Sequence, residues 1–341
     1  MNPLNLLGRS LLGRSAAAAL FAGLLALPSV SATAQTLKAS HQWPSGTGDF
    51  RDEMIQIIAK ELSAANVGLD VRVFPGSSLV KPREQWSALS KGQIDISLFP
   101  LDYAAGKHPQ FSATLMPGLV KNHEHAVRLS KSPFMDEIKK IVEGEGIIVI
   151  ADGWLAGGFA SKKKCILTPE DAQGQVMRAA GPMFERMLAG AGASLASMPS
   201  SEIYTAMQTG VLDAANTSSE SFSSYRLQEQ VKCMTPPGDQ ALWFMYEPLL
   251  MSKRSFDRLN PKQQEALMAA AKKAEDFGFK KAAEADAQMV DLFKKAGVEI
   301  VYMDAAQADA WRNLAKETSY KTFAAEVAGG QALIDKALAV Q

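Results

Sequence analysis

The chain has 341 residues, with 36 Lys plus Arg balanced by 36 Asp plus Glu. Nothing in that balance points to nucleic acid or an anionic membrane surface as a partner. Two cysteines and four histidines leave little material for a metal centre.

Residues 1–34 read as a secretory signal peptide. "MNPLNLLGRSLLGRS" carries Arg9 and Arg14, "AAAALFAGLLALPSVSA" is a short apolar core, and Ala32-Thr33-Ala34 gives a small-x-small cleavage pattern. The core is short for a bilayer span, no stop-transfer segment follows, and no cysteine marks the junction. The expectation is a periplasmic protein starting near Gln35, after cleavage near Ala34. Without Arg9 and Arg14 the remaining 307 residues carry a formal net charge of −2. A chain of that length is expected to fold around two cores.

"TLKASHQW" (36–43) predicts a first strand, and after the breaker "PSGTG" the stretch "DFRDEMIQIIAKELSAAN" has apolar residues at helical spacing. "LDVRVFPG" alternates as a second strand, "REQWSALSKG" is a short helix closed by Gly92, and "IDISLFP" is a third strand. "EHAVRLSKSPFMDEIKKIVEGEG" reads as helix, "IIVIADGW" and "QVMRAA" as strands, and "PSSEIYTAMQTGVLD" as helix. "EPLLMSKRSFDRL" reads as a strand and a turn. From Asn260 as N-cap and Pro261 at the first helical position, one helix is predicted to run to Ala296, with Gly297 as its stop. It would be about 54 Å long at ~1.5 Å per residue, enough to cross two domains. Strands alternating with helices imply an α/β fold with mostly parallel sheet.

Patterns for catalysis are missing. His123-Glu124-His125 opens a helix, where neighbours two apart do not face each other, so a solvated helix start is expected rather than a metal pair. His41 and His108 have no nucleophile at a recognisable spacing, and GxSxG, P-loop and HExxH are absent. No cofactor is implied. "DGWLAGGFASKKKC" lacks GxGxxG and a following helix, so it reads as a strand crossover or hinge beside a cavity, with Trp154 and Phe159 either packing the core or stacking on a ligand. Cys165 and Cys233, an even pair in an oxidising compartment, favour a disulfide over two buried thiols.

Arg178 is the sharpest signal. It stands in the apolar strand "QVMRAA", where a guanidinium either reaches solvent or an ion-pair partner, or captures an anion by its bidentate fork.

In order and spacing, "VRVFPGSSL", "EQWSALSKGQIDIS", "ILTPEDAQGQVMRAAG", "MPSSEIYTAMQTGVLDA" and "PLLMSKRSFDRLNPKQQEALMAAAKKA" closely resemble the periplasmic solute-binding proteins of TRAP transporters, over essentially the whole mature chain. The resemblance implies a class II-like periplasmic binding fold: two α/β domains with hinge-crossing strands, a long bracing helix, and a ligand enclosed on closure. We place domain I at 35–153 plus 246–280 and domain II at 154–245 plus 281–341. It also implies that Arg178 salt-bridges the carboxylate of an organic acid. Gln42, Trp43, Phe99 to Tyr103, Ser200, Asn216, Thr217 and Trp243 are implied cleft positions, each with plain packing as its alternative. Both cysteines fall in domain II, where a bridge would staple one lobe without blocking the hinge.

Sialic-acid-binding members carry a second arginine about 20 residues earlier; here the ungapped position is Gly158, and no arginine lies between Gly153 and Ser161. A polyhydroxylated sugar acid is therefore disfavoured. With Trp43, Phe99, Tyr103, Trp154 and Phe159 nearby, the expected solute is a small monocarboxylate of aromatic, 2-oxo or 2-hydroxy type. Expected partners are the small and large membrane subunits of a permease, and the expected role is capture without turnover. The alternatives are a sensory periplasmic binding protein or a sugar-acid carrier.

Overall fold

The computed structural model describes residues 35–239 and 241–341. The first 34 residues, where the signal peptide and its cleavage near Ala34 are expected, lie outside these.

Twelve strands are described: β1 (Gln35–Ser40), β2 (Leu69–Phe74), β3 (Ile96–Leu98), β4 (Ile147–Ala151), β5 (Trp154–Ser161), β6 (Val176–Ala179), β7 (Ser194–Ser197), β8 (Ala214–Ser218), β9 (Cys233–Thr235), β10 (Trp243–Tyr246), β11 (Leu249–Ser252) and β12 (Glu299–Ile300). They form two sheets. The first has the order β2-β1-β3-β11-β4; the second runs β12-β9-β5-β8-β6-β7, with β10 also paired to β5. Within the first, β1 is parallel to β2 and β3, while β11 is antiparallel to β3 and β4. In the second, β6 is parallel to β7 and β8, and β5 is antiparallel to its neighbours. The expected parallel pattern thus holds for the βα units, and the strands that carry the chain between sheets run against it.

The chain leaves the first sheet for the second at Asp152–Gly153 and returns at Glu247–Pro248. The two crossings are tied together: Glu247 N–H donates to the Gly153 carbonyl at 2.8 Å. A Cβ at Gly153 would lie 2.5 Å from the Glu247 carbonyl oxygen, so the crossings can approach only because that residue is glycine. The glycine-rich stretch after it is β5, buried along its length. A Cβ at Gly157 or Gly158 would overlap the Thr217 or Thr235 carbonyl, which makes these glycines a requirement of strand packing rather than of a phosphate loop.

The long helix spans Pro261–Lys295, 35 residues or about 52 Å at ~1.5 Å per residue. Asn260 and Gln263 form a capping box at its start. Its first half packs Leu267, Ala270, Ala271 and Ala274 into the core beneath the first sheet, against the helix Phe50–Ala65. Its second half packs Met289, Val290 and Phe293 with Phe222 and Ile203 beneath the second. One helix therefore braces both cores. The stretch expected as one helix from Glu124 onward is two, His123–Leu129 and Pro133–Gly144. Ser132 caps the second by accepting from Met135 N–H, and Pro133 cannot continue the first.

Cys165 and Cys233 are bridged, with their α-carbons 5.1 Å apart. Of the histidines, His123 is bonded to Asp286 at 2.8 Å. His125 is buried rather than solvated, its Nδ1 accepting from Lys121 N–H at 3.2 Å. The polar ring is accommodated because the Lys121 backbone meets it where the chain enters the helix.

Candidate functional site

Among the described residues two arginines are fully buried, Arg51 and Arg178. Their surroundings differ in sign. Arg51, in the first turn of the Phe50–Ala65 helix, is gripped by Asp49 through Nε at 2.9 Å and Nη2 at 2.7 Å, and Nη1 reaches Glu247 at 3.4 Å. Nη1 also donates to Ser218 at 3.3 Å, at the end of β8, and to Ser221 at 2.9 Å, in the helix that follows it. Burial pulls the guanidinium down, but the carboxylates of Asp49 and Glu247 outweigh it and hold it above its ordinary range. This cluster joins the helix after β1, the crossing at Glu247 and the helix after β8. It is a satisfied structural ion cluster.

Arg178 has no such partners. In β6 its side chain reaches over the carboxyl ends of the parallel strands, where Nε donates to the Met198 carbonyl at 3.0 Å and Nη1 to the Asn216 carbonyl at 2.9 Å. Nη2 donates to the Tyr103 hydroxyl at 3.2 Å. All three acceptors are neutral, and among the described residues no carboxylate lies within ion-pair distance. Burial pulls its guanidinium below the ordinary range, with Tyr103 and Glu185 offsetting only part. Of the five N–H donors of a guanidinium, one on each terminal nitrogen stays uncommitted, which is the fork that a carboxylate accepts.

Tyr103 carries this centre across to the first sheet. It belongs to the 3-10 turn Leu101–Ala104 that follows β3, and its oxygen also accepts from Ser200 N–H at 3.0 Å. Phe99 packs edge-on to the Tyr103 ring at 6.1 Å. Arg83 lies over the same ring at 5.6 Å and donates to Ser197, at the end of β7, at 2.9 Å. Buried polar groups without partners lie on the adjoining segments: both ends of the Gln42 and Asn216 side-chain amides. Such groups are normally hydrogen-bonded when buried.

The structure thus brings together Arg178, Tyr103, Ser200 and Asn216, with Phe99 in contact behind them. Thr217 follows Asn216 in β8, its backbone paired with Gly158. Gln42 is joined to the second lobe by Tyr225, whose hydroxyl donates to the Gln42 carbonyl at 3.0 Å. Other positions are placed elsewhere. Trp43 lies under Arg51, 4.3 Å from its guanidinium carbon, and stacks on His41. Trp154 donates to Ser130 at 2.9 Å and packs on Tyr246 at 4.9 Å. Phe159 stacks on Trp311 at 5.3 Å. Gly158 and Trp243 line a separate groove of about 310 Å³ beside Arg312.

The Arg51 cluster, Arg83 and Tyr225 were not singled out by sequence reasoning, and Asp102 entered only as part of the segment Phe99 to Tyr103. For Arg51 a signal exists: "GDFRDE" opens a helix with three charges in four residues, where apolar packing against the rest of the domain would be expected.

Comparison with known proteins adds the following. Residues 39–326 match the profile of the family described as "Bacterial extracellular solute-binding protein, family 7" (DctP). A solute-binding protein of Albidiferax ferrireducens is 40% identical over 309 residues, covering 89% of this chain and 91% of that one. The 2,3-diketo-L-gulonate-binding periplasmic protein YiaO of Escherichia coli is 29% identical over 300 residues, covering 84% and 88%. Among solved structures, a TRAP periplasmic solute-binding protein from Rhodoferax ferrireducens with bound malonate superposes at a TM-score of 0.85, with 40% identity, over 88% of this chain and 96% of that one.

Proposed function

The chain belongs to the bacterial extracellular solute-binding protein family 7, the periplasmic solute-binding proteins of TRAP transporters, with their two-domain, class II-like α/β fold, and from that premise we propose that it captures a small organic acid anion on Arg178 and delivers it to a membrane permease. The family is one of transport proteins that bind small carboxylates, not of enzymes. No helix among the described residues is long and apolar enough to cross a membrane, so translocation falls to the small and large permease subunits. We take residues 35–153 with 246–280 and 154–245 with 281–341 as the two lobes that close on the solute, and residues 1–34 as the leader that exports them.

The observation that carries the proposal is the contrast between the two buried arginines. Arg51 is matched by carboxylates of its own chain, whereas Arg178 meets only neutral acceptors. A buried cation without an anion is costly, and a bound carboxylate removes that cost while Tyr103 and Ser200 draw the lobes together.

Of the acids suggested by the sequence, 2-oxo and 2-hydroxy acids fit better than aromatic ones. Trp154 and Phe159 are engaged in core contacts, while the amides of Gln42 and Asn216 offer donors and acceptors to a polar body. The malonate bound by the Rhodoferax protein is of similar size. The test is mass spectrometry of the small molecule that copurifies with the protein, followed by thermal-shift titration with short 2-oxo, 2-hydroxy, aromatic and sugar acids. Stabilisation by sugar acids alone would overturn the ligand assignment.

A further inference from the structure

Asp102 precedes Tyr103 in the chain, and its side chain is 97% removed from solvent, at 3% exposure. One carboxyl oxygen lies so close to the α-carbon of Gly181 that a Cβ there would overlap it. Gly181 is the N-cap of the helix Pro182–Gly190, a position at which it supplies no side chain, and Pro182 supplies no N–H. Asp102 follows β3 of the first sheet, and Gly181 follows β6 of the second. A carboxyl group from one lobe therefore fills the space that a side chain at this N-cap would take on the other, without accepting from the first N–H groups of the helix. Its oxygens make no hydrogen bond of standard geometry among the described residues, and the Ser112 hydroxyl is the donor close enough to act on them.

We propose that Asp102 is a positioning residue: seated on the bare N-cap of the helix Pro182–Gly190, it holds Tyr103 against Arg178 in the closed form, and closing the cleft takes up a proton on its carboxyl group. An ionised carboxylate with only the weak support of Ser112 is expensive to bury, and its neutral acid much less so. The charged and polar groups facing it are Ser112 from the turn Pro109–Leu115, Glu185 from the same helix, Arg83 from the turn Pro82–Glu84, and Arg178 from β6. Burial, helped by Glu185, pushes the carboxyl up to about 7, against the pull of Ser112 and the two arginines.

When the lobes part, Asp102 meets water and returns to the ordinary carboxylate range, about 4. Between there and about 7 the closed form holds a proton that the open form has lost. Closing weakens by up to ~tenfold for each unit of pH rise in that window, and stops changing above it. The inference rests on the cleft-closing reading above, but not on which acid is bound.

The test is small-angle X-ray scattering of the ligand-free mature protein at a series of pH values from about 5 to about 8.5, a span that brackets the window. The wild type should expand as pH rises through neutrality. Asp102→Asn, uncharged throughout, should stay compact at the high end, and Gly181→Ala should be expanded at every pH. Glu220 and Glu247, also pushed up to about 7, are present in every variant and cancel from the comparison. A flat wild-type profile, or an Asp102→Asn profile matching the wild type's, overturns the proposal. If Asp102→Asn does not fold, Asp102→Ser takes its place in the same comparison, because Glu220 and Glu247 titrate in the wild type as well. Malonate calorimetry on wild type and Arg178→Ala runs alongside, so failure to bind acid counts against acid capture and leaves the scattering result standing.

Discussion

The hydroxyl of Tyr103 accepts from Arg178 Nη2 at 3.2 Å and from Ser200 N–H at 3.0 Å, so one phenol oxygen from the first lobe satisfies two donors of the second. With both bonds accepted, the hydroxyl proton remains to be donated. It joins the two uncommitted N–H groups of Arg178, which makes three donors available to the carboxylate proposed to bind there.

Arg178→Ala should lower acid affinity at least ~100-fold, the scale of truncating one partner of a buried charge pair. The fold should persist, because the acceptors released are backbone carbonyls and a hydroxyl that water can reach once the cleft opens. Arg178→Lys should lose nearly as much, since one ammonium cannot present the fork. Calorimetry with the copurified acid, beside circular dichroism, separates the two effects. Unchanged affinity in either variant would overturn the assignment.

Tyr103→Phe keeps the ring on Phe99 and removes the shared oxygen. Two buried donors then lose their acceptor, at about 1–3 kcal/mol each when nothing replaces it. The loss falls only on the closed form, so the thermal midpoint without ligand should hardly move while affinity drops at least ~30-fold. A fall in the ligand-free midpoint with normal affinity would make Tyr103 a core residue instead.

Arg178 was conspicuous because it broke the apolar pattern of its strand, and the family resemblance supplied the role proposed for it. The long helix was legible because Asn260, Pro261 and Gly297 mark its ends. What escaped is what depends on distant pairing. The fates of Trp43, Trp154 and Phe159 hang on partners at Arg51, Ser130 and Trp311, none of them a near neighbour in sequence with a periodic relation to it. Likewise, Gly158 looked like a place where an arginine might have stood. The pairing of β5 with β9 shows that any side chain there would collide with the Thr235 carbonyl.

Removing the Cys165–Cys233 bridge, by serine at both positions or by reductant, should destabilise by about 4 kcal/mol on the chain-entropy estimate for a closed loop of this size. The residues are 68 apart in sequence. Both lie in the part of the chain that builds the second sheet, so acid affinity measured well below the midpoint should not change. Weakened binding in the reduced protein would show that the bridge also shapes the cleft.

Arg51→Ala should be the most destabilising single change at the junction of the sheets. It strands Asp49, fully buried, together with Glu247, and uncompensated buried charge costs about 3–5 kcal/mol, or on the order of 10 °C in midpoint for a chain of this size. The pH dependence follows from the carboxyls. Burial, then Asp49, pushes Glu220 up to about 7, and burial pushes Glu247 to about 7 with Arg51 pulling against it. Unfolded, both titrate near ~4.3. Between those values the native state holds protons that the unfolded chain releases, so their contribution is complete below the unfolded value and is lost as pH rises to about 7. The wild-type midpoint should therefore fall from pH ~5 to ~8, and the fall should continue to higher pH in Arg51→Ala, where Glu247 no longer has its cation. Calorimetric scans across that range check both, and a midpoint rising with pH would show that these carboxyls are ionised in the folded protein.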